Sequence, residues 1–144
     1  MSQRKSEHRE FMTNVDSDEN QIRSLLENWA KAVRKKDIDG ILAYHTDDIV
    51  MFDVPPPFRS KGIAAYRKTW DTFYTWAKDL RVFDILEMKI IAGRSVAFCY
   101  ASMRCAGCSD SGKREELKFR LTIGLKKIAN QWMIAHEHHS LPST

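Results

Sequence analysis

Two histidines one residue apart, His136 and His138, are the side chains of this sequence best suited to chemistry. An imidazole titrates near neutral pH, so one group can donate, accept or carry a proton. The carboxylate best placed to face them is Asp53, immediately ahead of Val54-Pro55-Pro56-Pro57. Asp53 suits a general base, and equally the turn that precedes a proline run. His136 and His138 with Asp53 as a third ligand would also make an open metal set. Cys105-Ala106-Gly107-Cys108 is a C-x-x-C, but zinc would need two further ligands and no second C-x-x-C exists. It reads as a hairpin with two free thiols or an occasional disulfide. No phosphate-cradling glycine loop and no serine–histidine–aspartate spacing occurs, which sets aside phosphoryl transfer and serine hydrolysis.

The elements that must position these residues follow from periodicity. Ile22, Leu25, Leu26, Trp29, Ala30 and Val33 form one apolar stripe at helical spacing. Asp16 or Ser17 is the expected cap, Asp18 and Glu19 complement the first turn, and Arg34, Lys35 and Lys36 the last. Residues 1–16 are polar and aperiodic, and read as a mobile arm with one anchor at Phe11-Met12. A short helix is expected over Asp39–Tyr44 and a strand over Ile49–Val54, stopped by the prolines. Ser60 would cap a third helix over 62–77, with Ile63, Tyr66, Trp70, Phe73 and Tyr74 on one stripe. Strands follow at 81–91, 94–105, 115–128 and 131–140, with a tight turn at Ala92-Gly93 and a loop at 106–113. Helices first and strands afterwards predict an α+β layer architecture.

The last hairpin allows a sharper expectation. Leu117, Phe119, Leu121, Ile123 and Leu125 alternate with polar residues, so one face is apolar. With Ala129-Asn130 as a two-residue loop, Leu125 pairs with Ile134, Ile123 with His136, Leu121 with His138 and Phe119 with Ser140. His136 and His138 would then project into the apolar face. Thr122 would oppose Glu137 and Arg120 would oppose His139 on the reverse side, bringing Glu137 within ion-pair reach of Arg120. Two buried imidazoles need hydrogen-bond partners or a cavity. Tyr66, Trp70 and Tyr100 are further candidates to line that cavity. The aromatic stripe also suits plain core packing.

Length and composition bound the rest. The chain has 144 residues, 43% hydrophobic and 29% charged, which fits one globular domain with a real core. Its formal charge is only +4, gathered mostly in residues 113–127, which argues against a nucleic-acid partner. No apolar run is long enough for a membrane span, and the polar start is unlike a signal peptide. Three cysteines are too few for a disulfide scaffold, so the cytoplasm is the expected compartment. Val96, Phe98 and Tyr100 alternate with Ala97, Cys99, Ala101 and Met103, so this strand is expected to be covered on both sides. Helices can cover only one side, which predicts a homodimer across the other.

The tryptophan-bearing first helix, the strand ending Asp53-Val54-Pro55-Pro56-Pro57 and the W-x-I-x-H-x-H-x-S ending from Trp132 to Ser140 together carry a resemblance. Residues 17–142 resemble the SnoaL-like, ketosteroid-isomerase-like branch of the nuclear-transport-factor-2-like superfamily. The resemblance implies a cone, in which a strongly bent antiparallel sheet wraps three helices around a pocket, and dimerisation through the outer sheet face. It implies that Asp53 lines the pocket from a strand end and that His136 and His138 lie on the terminal strand. The isomerase's tyrosine and protonated-aspartate donors have no counterparts here. The expected function is binding of a small hydrophobic molecule without a cofactor, with isomerase- or cyclase-type proton transfer by Asp53, His136 and His138. The alternatives are a non-catalytic assembly module, as in the similar association domains of calmodulin-dependent kinases, and the His-x-His metal site.

Overall fold

The computed structural model describes residues 2–108 and 112–143, with the backbone alone for residues 2–16 and Cys108. The first helix, α1, spans Ser2–Lys35. It therefore starts well ahead of the expected Asp16 or Ser17 cap, through the segment read as an arm. Residues 2–16 contain neither proline nor glycine, so nothing in the backbone ends the helix there. The side chains of the expected Phe11-Met12 anchor lie outside the described residues. The stripe from Ile22 to Val33 is buried as its spacing requires. Asp18 is a tether and not a first-turn charge. Its Oδ1 accepts from Lys127 Nζ at 2.7 Å and from Trp132 Nε1 at 3.1 Å.

A second helix, α2 (Ile38–Leu42), is capped by Asp37, whose carboxylate accepts from the Gly40 amide at 3.2 Å. Strand β1 (His45–Phe52) starts four residues earlier than its apolar run, and β2 is the pair Ser60–Lys61. Ser60 is thus a strand residue and caps nothing. Gly62 precedes the third helix, α3 (Ile63–Trp76), at φ +90°, a left-handed conformation for which glycine carries no steric cost.

Four long strands complete the chain: β3 (Val82–Ala92), β4 (Val96–Cys108), β5 (Arg114–Ile128) and β6 (Gln131–Ser140). Ala106 and Gly107, expected in a loop, instead continue the ladder opposite Glu116 and Glu115. The sheet order is β2-β1-β6-β5-β4-β3, antiparallel except where β1 runs parallel to β6. The fold is α+β, a curled open sheet whose concave face is packed by the helices. Ala97, Cys99, Ala101, Met103 and Cys105 of β4 face that core, and Val96, Phe98 and Tyr100 face outward. No helix among the described residues is long and apolar enough to cross a membrane.

The β5–β6 hairpin decides where the functional side chains point. Ala129 and Asn130 both have positive φ, 48° and 66°, as a two-residue primed turn requires. Pairing then follows the expected register through Leu125 with Ile134. Beyond that pair Ala135 is an extra residue, and Gly124 meets His136, Ile123 meets Glu137 and Leu121 meets His139. Such a bulge shifts the alternation by one, and a one-residue shift exchanges the faces. His136 and His138 therefore point out of the core, while Glu137 and His139 point in. The expected Arg120–Glu137 pair is absent for the same reason. Arg120 Nε donates to Ser140 Oγ at 3.1 Å, and Glu137 has no solvent contact.

Candidate functional site

Between α3 and the concave face lies a cavity of about 460 Å³. Its walls are largely aromatic, with Trp70, Phe73 and Trp76 from α3 meeting Phe83 from β3 and Phe119 from β5. Met51, Val54, Leu117 and Leu141 add aliphatic surface, and Cys105 contributes a thiol that burial pushes up to about 11. Two titratable side chains of acid–base character reach this apolar space, Asp53 and His139. Asp53 follows the last residue of β1 and keeps one oxygen on the Val54 amide at 2.8 Å. His139 lies flat on Phe119, with ring centroids 5.5 Å apart at 8°.

Behind His139 is a buried polar centre built on Glu137. Its Oε1 lies 3.8 Å from His139 Nε2 and its Oε2 lies 3.5 Å from His45 Nε2. His45 is the first residue of β1, delivered to the terminal strand by the parallel pairing of the two. Its ring stacks on Tyr66 at 4.7 Å, and Trp29 Nε1 donates to the Tyr66 hydroxyl at 3.2 Å. Burial pushes the Glu137 carboxyl up, but the two imidazoles outweigh it and bring it down to about 2. Burial, and then the Glu137 charge, raise the Tyr66 phenol well above its usual value, so it stays protonated.

Of the residues expected to form the site, Asp53 and Trp70 line the cavity, and Tyr66 sits just behind it, fully buried. Tyr100 is on the outer face, 52% exposed. His136 donates from Nδ1 to the Val50 carbonyl at 2.6 Å, and His136 and His138 both place their rings against Phe52. Neither lines the cavity that Asp53 lines, and the His-x-His and Asp53 metal set is not assembled. Among the described residues, no group of three or more histidine, cysteine or acidic side chains is arranged to hold a metal. Cys99 and Cys105 are free and buried.

Sequence reasoning missed Glu137, His139 and His45. The signal for the first two was parity. Trp132 and Ile134 carry the apolar face on even numbers, whereas Leu141 carries it on an odd one. An extra residue must fall between them. His45 had no such signal, because the four residues before Ile49 show no alternation.

The SnoaL-like domain model matches residues 22–144. An NTF2-like protein of unknown function from Pseudomonas putida superposes with a TM-score of 0.80 at 32% identity, over 90% of this chain and 89% of that one. A ketosteroid isomerase-like protein from Erwinia carotovora is similar at a TM-score of 0.72 and 20% identity, over 87% of this chain and 96% of its own. An NTF2-like protein with a cystatin-like fold from Novosphingobium aromaticivorans gives 0.76 at 14%, covering 90% and 85%. These last two likenesses speak for the fold alone. No match was found among curated proteins. With a matching family model over most of the chain and a relative at this identity, the chain belongs to the SnoaL-like family of the nuclear-transport-factor-2-like superfamily.

Proposed function

We propose that the protein binds a small hydrophobic molecule in the aromatic cavity and moves a proton on it, in isomerase- or cyclase-type chemistry, with Asp53 and His139. The observation that carries this reading is the juxtaposition of these two proton-exchanging groups in a cavity whose other walls are mostly apolar, with Thr69 and Thr72 adding two hydroxyl-bearing side chains. A volume of about 460 Å³ is in the range of small-molecule sites, and flat aromatic walls suit a ring system. The chemistry is abstraction of a proton from a carbon beside a carbonyl. The C–H electron pair moves onto the carbonyl oxygen as an enolate, and the proton returns at the same or a conjugated carbon. His139 replaces His136 and His138 in this role because the bulge turns it, and not them, toward the cavity.

The test uses a fused-ring ketone such as 2-tetralone in deuterated buffer, followed by NMR. The expected outcome is quenching of tryptophan fluorescence and exchange of the α-protons faster than in buffer alone. H139Q and D53N should each lower that exchange by about 10²-fold or more, the usual worth of a positioned acid or base. H136Q and H138Q should leave it unchanged. If the ketone neither quenches nor exchanges, or if both cavity variants exchange like wild type, the reading fails.

A second reading concerns the other side of the sheet and is compatible with the first. Phe52, Val96, Phe98 and Tyr100 are exposed there, and Ile91 pairs with Phe98 in the neighbouring strand. Large apolar side chains exposed on this sheet face support association with a second copy of the chain. Free Cys99 and Cys105 support a reducing, cytoplasmic setting.

A further inference from the structure

The buried centre behind His139 contains a proton count that fixes what His139 can do. His45 Nδ1 lies 2.9 Å from the Ala43 carbonyl oxygen. A carbonyl oxygen only accepts, so Nδ1 carries a proton. The other ring nitrogen, Nε2, faces Glu137 Oε2 at 3.5 Å, and both side chains are without solvent exposure. Were His45 neutral and Glu137 ionised, a nitrogen lone pair would face a carboxylate in a dry interior, leaving both atoms unpaired and repelling. A second proton must lie between them.

Three neighbours place that proton on His45. The Tyr66 ring stacks on the His45 imidazole at 4.7 Å and 27°, presenting the electron-rich face that favours a cation. Tyr66 keeps its own proton, and with Trp29 donating to its oxygen the phenol hydrogen is free for Glu137. His139 Nε2 approaches the remaining carboxylate oxygen at 3.8 Å. Glu137 is thus faced by donors from β1, α3 and its own strand, the setting of a carboxylate and not of a carboxylic acid.

The consequence falls on His139. With the Glu137 charge already matched by His45, a proton on His139 Nε2 suffices to satisfy Oε1. Its Nδ1, which has no hydrogen-bond partner among the described residues, is then the nitrogen left for the cavity. We propose that His45 and Glu137 form a buried ion pair that holds His139 neutral, with Nε2–H directed at the carboxylate and Nδ1 presented as the base that takes the substrate proton. His45 and Glu137 are positioning residues in this arrangement. When Nδ1 takes the proton, the new imidazolium charge lies beside Glu137, which stabilises it. The other groups facing His139 are the uncharged Phe119 of β5, Trp29 of α1, Trp70 of α3 and Cys105 thiol of β4, with Asp53, at the end of β1, a further acidic group lining the same cavity.

This inference rests on the cavity reading for its chemistry, but its core can be measured without a ligand. In protein with ¹⁵N-labelled imidazoles, long-range ¹H–¹⁵N correlation spectra distinguish cation, Nδ1–H and Nε2–H forms across about pH 5 to 9. The expected result for the wild type at neutral pH is a His45 imidazolium and a neutral His139 in the Nε2–H form. In E137Q, His45 should revert to the neutral Nδ1–H form, and ketone α-proton exchange should fall about 10²-fold with fluorescence quenching retained. In H45Q the lost positive charge should be replaced by protonation of His139, so exchange falls near neutrality and recovers at alkaline pH. A neutral His45 in the wild type at neutral pH, or His139 as the Nδ1–H form, overturns the inference. H45Q with an unshifted exchange profile also overturns it. If the wild-type spectra are as expected but no ketone binds, the cavity reading fails and the ion pair stands.

Discussion

A carboxylate with no contact to solvent, Glu137, survives in this interior because two imidazoles, His45 of β1 and His139 of its own strand, face its two oxygens. Its native carboxyl sits at about 2, below the 4.5 of a free glutamate. The unfolded chain therefore binds a proton that the native state refuses, so stability falls as pH drops from about 4.5 toward about 2. The full effect is roughly 3 kcal/mol, and denaturant unfolding at about pH 6 and about pH 3 should register about 2 kcal/mol of it. E137Q should lose most of this acid slope, and an unchanged slope would show that the carboxylate is not what acid attacks. Truncation is harsher than amide replacement. E137A takes the carboxylate away from both buried imidazoles and leaves a void in the core, and is expected to cost about 3–5 kcal/mol in the same experiment.

Among the elements, α1 is tied to the β5–β6 hairpin through the hydrogen bonds of Asp18. Asp18 satisfies both Lys127 and the buried Trp132 N–H, so D18A strands a donor in the core. A loss of about 2–3 kcal/mol is expected, with D18N losing less because its amide oxygen still accepts. Urea titration of the two variants checks the order. Much of this level was readable beforehand. The stripe from Ile22 to Val33, the four long strands and the Ala129-Asn130 turn follow from local period and turn chemistry, which tertiary contacts did not override. Pairing through Leu125 and Ile134 was readable for the same reason. What lay beyond reach was non-local. The parallel meeting of β1 with β6, which delivers His45, depends on chain topology. The bulge at Ala135 breaks the period-two rule that placed His136 and His138 inside, and this single residue exchanged the expected site for the observed one.

At the scale of the whole molecule the sheet separates two surfaces. The concave face closes the cavity, and the convex face exposes Phe98 at 47% and Tyr100 at 52%. If a second copy covers the convex face, F98K should convert a dimer into a monomer in light scattering while ketone quenching persists. A wild-type monomer at micromolar concentration would exclude that association. The bulge has one more consequence, for how this chain can vary. His136, Glu137, His138 and His139 are consecutive, yet they serve opposite surfaces in alternation. Substitutions in this run can therefore alter one surface and spare the other, whereas an insertion or deletion just after the bulge cannot. It would trade every side chain of the strand's second half across the sheet at once, leaving the run tolerant of changed letters and intolerant of a changed count.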